Sequence, residues 1–305
     1  MDHKKFVLVG PFSPYRGGIA DFSKQLFHGL KKRGHDVEAV TFTRQYPKLL
    51  FPGKTQLEEE DQEPATRLLD TANPFTWSKT GRYVARSSPD TVVFQHWMPF
   101  FCPSFASVAS RARQAGASIV CVAHNVDGHE KRLGDRYLTR HLLGKANRVV
   151  VMSEAVGSEV RSLGIKADIR RVRHGIYDHF GQGVGRAEAR ERLNLPADAK
   201  LMLFFGFVRK YKGLRVLLES MPGLLRAIPK LRLVIAGEFY DAPAPYRALI
   251  NRLGISDYVI VRDNYVPSFK VAAYFSAADV VVQPYLSATQ SGVAQIAFNL
   301  SLIHI

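Results

Sequence analysis

The sequence predicts an α/β fold made of two domains, each a parallel sheet covered by helices on both faces. Three observations carry this prediction. Short apolar runs alternate with segments of helical period along most of the 305 residues. The spacing of this strand–helix alternation argues for parallel sheets covered on both faces. A second strand–loop–helix series begins near residue 200, and at roughly 150 residues per domain the length fits two such units. The boundary is placed after Gly175, giving an N-terminal domain of residues 1–175 and a C-terminal domain of residues 176–305. The second domain reads as incomplete, because the chain stops while a helix is being made at residues 294–300.

Each element has its own signature. Residues 6–10 (FVLVG) form a short buried strand that opens into the Gly/Pro loop 11–18. Phe22, Leu26, Phe27 and Leu30 then share one face of a helix that Gly34 stops. Residues 37–42 are the next strand. Residues 45–75, rich in proline and charge and carrying the acidic run 58–61, read as an irregular loop or lid. Residues 91–95 form a strand, followed by an aromatic turn at 96–101 and a helix at 104–114. Residues 119–123 and 149–152 are further strands. In the second series the strands are 201–206, 231–237, 259–262 and 280–284, and the helices are 187–193, 214–227, 246–253 and 269–277.

Composition excludes several classes. With 46% hydrophobic and 23% charged residues, the chain is neither disordered nor collagen-like. Its apolar runs, such as 119–123 and 149–152, fall far short of the roughly 18 residues a spanning helix needs. The opening MDHKK and the four apolar residues before Gly10 do not read as a signal peptide. Two cysteines, Cys102 and Cys121, supply no disulfide framework and no zinc set, which points to a reducing, cytoplasmic setting. The formal charge is +15. It is densest along Lys131, Arg132, Arg136, Arg140, Lys145, Arg148, Arg161, Lys166, Arg170, Arg171 and Arg173. Such a field attracts phosphates, anionic lipid or nucleic acid without choosing among them, and a solvated basic face explains it equally well. No nucleic-acid module accompanies it, so no nucleic-acid partner is expected.

In parallel sheets, ligands sit at the carboxyl ends of strands, against helix N-termini. Three loops there carry suitable residues. Gly17-Gly18 in the first would let backbone N–H groups approach an anion, although a plain tight turn uses the same pair, and neither a dinucleotide fingerprint nor a P-loop is present. In the second, residues 206–213, Arg209 and Lys212 follow an apolar strand; a guanidinium fork and an ammonium point charge suit a diphosphate. In the third, residues 284–295, Ser291-Gly292 open a helix whose free N–H groups face an anion. His124 directly follows the strand 119–123, at the edge of the crevice. His124 and His129 have no spaced carboxylate or cysteine partner for zinc, and no Asp-x-Asp or Gly-x-Ser-x-Gly occurs. The turn residues Trp97, Met98, Phe100 and Phe101 are placed either to contact a sugar or lipid or to pack under a loop.

Taken together these residues resemble the retaining nucleotide-sugar glycosyltransferases of the GT-B fold, in particular glycosyltransferase family 4. The elements come in family order: Gly17-Gly18, His124-Asn125, the junction 172–176 (VRHGI), Arg209 with Lys212-Gly213, residues 233–238 (LVIAGE) and residues 278–285 (ADVVVQPY). The resemblance implies two Rossmann-like domains with parallel sheets facing a cleft, the C-terminal one holding a nucleotide diphosphate-sugar and the N-terminal one a glycan or lipid-linked acceptor. It implies catalytic roles for His124, Arg209 and Lys212. It implies donor or phosphate contacts at Gly17, Gly18, Glu238, Ser291, Gly292 and Gln295, with neither a metal nor a cofactor. It further implies work in polysaccharide or glycolipid synthesis, with an anionic membrane surface as a partner at the inner face of the plasma membrane. The sequence departs from the family twice. Ser287 and Gln295 stand where the family shows Glu-x7-Glu, and the chain ends in a foreign-looking 301–305 where the family continues with a strand and further helices. The alternative expectation is therefore a non-catalytic nucleotide-binding protein or an inactive fragment.

Overall fold

A computed structural model describes residues 2–47, 51, 53, 55–57, 65–126, 133–175, 177, 180–288 and 291–300. The acidic run 58–61, His129, Lys131, Arg132, Ile176 and the tail 301–305 lie outside the described residues. The chain divides into two compact units, Met1–Arg173 and His174–Ile305.

In the first unit the strands are β1 (Lys5–Val9), β2 (Asp36–Arg44), β3 (Thr66–Asp70), β4 (Thr91–His96), β5 (Ser118–Ala123), β6 (Arg148–Val151) and β7 (Asp168–Arg171). All pair in parallel, in the order β3-β2-β1-β4-β5-β6-β7. The helices are α1 (Gly18–Lys32), α2 (Pro74–Arg86), α3 (Cys102–Gln114), α4 (Asp135–Leu143) and α5 (Glu154–Ser162). Successive strand residues feed opposite faces. Leu8, Val93 and Val122 pack with Phe12 and Phe27 on the α1 side. Val9, Phe94 and Cys121 pack with Phe105, Val108, Leu142 and Leu143 on the other. Both faces are dry, which is why these strands read as unbroken apolar runs.

The second unit repeats the plan. Strands β8 (Lys200–Phe205), β9 (Leu231–Ala236), β10 (Val259–Arg262) and β11 (Val280–Val281) lie parallel in the order β10-β9-β8-β11. Leu201, Leu203 and Val234 face α6 (Arg186–Arg192), α9 (Ser268–Ala277) and α10 (Gly292–Asn299); Met202, Phe204 and Ile235 face α7 (Leu214–Ala227) and α8 (Ala244–Arg252). An ion pair between a buried arginine and a half-buried aspartate ties this unit together. Arg190 lies 2.8 Å from Asp279, and its Nε donates to the Ala277 carbonyl. Asp279 also accepts from the Leu201 N–H at 2.7 Å and pairs with Arg186 at 3.0 Å. Asp279, part of the family-like 278–285 stretch, is thus a strut between β8, α6 and the start of β11.

The structure corrects the sequence reading at several points. The segment 45–75 is not wholly irregular, since β3 pairs with β2 through two register shifts and α2 starts at Pro74. Helices α4 and α5 and strand β7 also lie outside the predicted elements. The missed strands β3 and β7 are sheet edges carrying charge (TRLLD and DIRR), so they lack the apolar signature of a central strand. The predicted strand 280–284 keeps its ladder only through β11 and the Val282 N–H, because Pro284 has no N–H to donate. Part of the basic stretch is neutralised locally: Arg148 and Arg170 pair with Asp168, and Arg161 and Arg171 with Glu154. The aromatic turn packs into the core, with Phe101 fully buried 4.1 Å from Trp97, whose Nε1–H donates to Tyr46.

Candidate active site

In each sheet the strand order reverses beside the first strand of the series, between β1 and β4 and between β8 and β11. A crevice at the carboxyl ends opens at such a point. The sequence-predicted residues of each unit gather around its own switch point.

In the second unit, Gly206 follows β8 directly, and the loop 207–213 leads through a 3-10 turn (Lys210–Lys212) to α7. Three glycines make the loop fold as it does. A Cβ on Gly213 would sit 1.8 Å from the Pro284 carbonyl oxygen, and one on Gly237 would sit 2.2 Å from the Gly206 carbonyl oxygen. The third is Gly206, where a Cβ would fall 2.9 Å from Lys212 Nζ and 3.8 Å from Val293. The loop and the segment after β11 therefore press together, and the Leu286 N–H donates to the Tyr211 carbonyl at 2.7 Å. The Lys212 ammonium lies against Gly206, near the first turn of α10, with the Tyr285 ring 5.7 Å away.

Lys212 is only 8% exposed. Burial pushes its ammonium down to about 8, and the nearby Arg209 charge adds to the shift. Arg209 rests over the Tyr240 ring at 4.9 Å. Among the described residues neither cation pairs with a carboxylate. A desolvated ammonium beside a second cation is an expensive arrangement unless an anion completes it. The first turns of both neighbouring helices support one: α7 and α10 have no acidic residue there. Ser291 caps α10, accepting from the Ala294 N–H at 3.3 Å and donating to Gln283 Oε1 at 2.8 Å. Gly292 packs against the Tyr177 ring. Glu238 is buried at the end of β9, where its carbonyl accepts from the Val208 N–H. Gln295 is half-buried on α10, whereas Ser287 is exposed.

In the first unit, Gly17 (φ 111°) caps α1, and Gly18 is its first residue. A positive φ of this kind is a glycine conformation. Asp21 lies in the first helical turn, where its charge competes with any other anion at that N-terminus. His124 is buried, with its Nε2 2.8 Å from Gln95 Oε1 and its ring edge-on to Phe22 at 5.0 Å. Sequence reasoning missed Gln95, whose signal was a polar residue inside a strand of otherwise buried type. The adjacent His96 points to the opposite face, 3.6 Å from Cys102 Sγ, and burial lowers its imidazole to about 4. Burial raises both Cys102 and Cys121 thiols, so neither is a ready nucleophile. Among the described residues no group of three or more His, Cys, Asp or Glu side chains is placed to hold a metal ion.

Two family models match the sequence, one over most of each unit. The sequence model of Glycosyltransferase Family 4 matches residues 16–179, and that of Glycosyl transferases group 1 matches residues 185–294. The chain belongs to glycosyltransferase family 4. Curated relatives of this family-4 chain include a D-inositol 3-phosphate glycosyltransferase of Streptomyces bingchenggensis, 32% identical over 154 residues that make up 47% of this chain and 34% of the relative. The enzyme of the same name from Streptomyces avermitilis is 39% identical over 115 residues, covering 35% and 25%. The family-4 chain thus aligns with about a third or less of the length of these curated relatives. Among solved structures, sucrose-phosphate synthase from Thermosynechococcus elongatus superposes with a TM-score of 0.73 at 18% identity, over 99% of this chain and 80% of that one. Anabaena HepE in complex with UDP and glucose gives 0.73 at 15% identity over the same shares. At these identities the likeness speaks for the fold, which is α/β of the GT-B kind with two Rossmann-like domains.

Proposed function

We propose that this family-4 chain is a glycosyltransferase whose C-terminal unit holds a nucleotide diphosphate-sugar and whose N-terminal unit holds the acceptor. The observation that carries the reading is the pair Arg209 and Lys212, one buried and the other beside it, both without a carboxylate partner among the described residues, at the strand ends of the second sheet. Charge accumulates on a departing diphosphate, and groups preset to meet it lower the barrier because their stabilisation is largest in the transition state. In this reading the two cations do that work without a metal ion, and the N–H groups at Ser291-Gly292, with Glu238 and Gln295, complete the donor contacts within the same unit. The acceptor hydroxyl attacks the anomeric carbon on the face the diphosphate leaves. The C–O bond to acceptor forms as the C–O bond to phosphate breaks, and a leaving-group oxygen takes the hydroxyl proton, so configuration is retained. His124 and the Gly17-Gly18 turn are assigned to the acceptor-side unit.

The names of the curated relatives support glycosyl transfer, and the UDP complex of the Anabaena neighbour supports a nucleotide-sugar donor. The acceptor we favour is glycan or lipid-linked, in polysaccharide or glycolipid synthesis, met on the cytoplasmic side of an anionic membrane. The basic N-terminal unit and the lack, among described residues, of a helix long and apolar enough to cross a membrane are compatible with that placement. The test is calorimetric binding of UDP and GDP, followed by transfer from a panel of UDP- and GDP-sugars. Saturable binding with sugar release or transfer is expected, and absence of both rejects the proposal. A second reading, nucleotide binding without turnover, is favoured by Ser287 and Gln295 at the positions of the family's two glutamates; binding with no transfer would select it.

A further inference from the structure

The chain ends of β1, β4 and β5 meet around Gln95. Gln95 pairs in register with Val122, and His124 follows two residues later, so both side chains rise on the α1 face of the sheet. Gln95 is fully buried. On one side it bonds His124 Nε2 at 2.8 Å. On the other it faces Gly10, where a Cβ would lie 2.9 Å from its Cβ and 3.0 Å from its Cγ. The glycine just after β1 therefore makes room for this glutamine. The His124 ring is further held by its backbone N–H, which donates to the His96 carbonyl at 2.8 Å, and by the edge-on Phe22. The Gln95 Nε2 has no partner among the described residues. A buried amide left half-unspent is rare in folded proteins unless its orientation serves something else.

We propose that Gln95 is a positioning residue that fixes the plane of the His124 imidazole, selects its Nε2–H tautomer and keeps the ring uncharged. The chemistry of the pair explains the residue type. An amide oxygen accepts the Nε2 proton and orients the ring as a carboxylate would, but it brings no charge to draw a second proton onto the imidazole. His96, next in sequence, offers no competing contact, because it points to the opposite face and bonds Cys102. The inference rests on the transferase reading only for its purpose: a neutral, oriented ring exchanges hydrogen bonds with a sugar hydroxyl without setting a fixed charge beside it.

The experiment is ¹⁵N-histidine NMR on the intact chain at pH 7, with His124 assigned by the signals lost in His124→Gln. The expected spectrum shows a neutral ring in the Nε2–H form. Gln95→Met, near in volume, should give a mixture of both neutral tautomers, and the isosteric Gln95→Glu should leave His124 protonated. Circular dichroism checks that each variant is folded, and Gln95→Glu carries the test if Gln95→Met is not. An Nδ1–H ring in the parent, or an unchanged His124 signature in the folded variants, would overturn the proposal. These spectra need no nucleotide or sugar, so their outcome is independent of whether the chain proves to transfer one.

Discussion

The two switch points share a topology and differ in chemistry. Each sheet carries its series in the order third, second, first, fourth, with the first loop leading into a helix. At the first sheet that loop ends in α1, whose first turn holds Asp21, and the neighbouring strand ends present the hydrogen-bonded pair Gln95 and His124. At the second sheet the loop carries Arg209 and Lys212 into α7, whose first turn has no acid. The difference teaches that strand order provides a crevice, and the side chains at its rim decide whether it suits an anion or an uncharged polar ligand.

The sharpest way to break the comparison is at the glycines. A Cβ at Gly213 meets a backbone carbonyl that cannot move aside, and φ is +71° there. Gly213→Ala should cost on the order of 3–5 kcal/mol in denaturant unfolding. Gly10→Ala meets only the Gln95 side chain and should cost about 1–3 kcal/mol. Equal costs would mean that the second loop is not held as tightly as its geometry indicates.

Next come the charges. Arg209→Ala and Lys212→Ala should each slow transfer by roughly 100- to 1,000-fold, as loss of a preset transition-state donor does, and weaken UDP binding. His124→Ala should leave UDP affinity unchanged while lowering transfer. Loss of UDP affinity in the histidine variant would erase the proposed division between anion and neutral sites.

Lys212 also predicts a pH signature. Its ammonium stands at about 8 when folded, against the ordinary 10.5 of a solvated lysine in the unfolded chain. Between those values the unfolded state holds the extra proton, so stability rises with pH across that window, and below it the buried charge is a standing cost. Lys212→Met should therefore stabilise the protein at pH 7 by about 1–4 kcal/mol, with a smaller gain at pH 10, read from melting curves. UDP affinity of the parent should fall as pH passes 8, and that fall should vanish in Lys212→Met. The smallest effect is expected at Ser291→Ala, where loss of the α10 cap costs about 1 kcal/mol and releases Gln283.

Much of this was legible before the structure. Central strands declare themselves as apolar runs because both their faces are dry, and the positions of Arg209, Lys212 and His124 after such runs placed them at strand ends. The edge strands β3 and β7 did not show, since an edge is half-solvated and keeps its charges. Nor did the burial of Lys212, which depends on Gly206, Tyr285 and α10 closing around it from distant parts of the chain. The same holds for the Arg190–Asp279 strut, whose partners are 89 residues apart.

The sequence by itself determined the α/β class, the two series of elements and the residue types available at each strand end, because periodicity and local turn chemistry are short-range properties. Only the tertiary structure decided which of those residues meet. Sheet order sets Gln95 between Gly10 and His124, and a carbonyl from beyond β11 dictates a glycine at 213, because strand neighbours in a crossover sheet are remote along the chain.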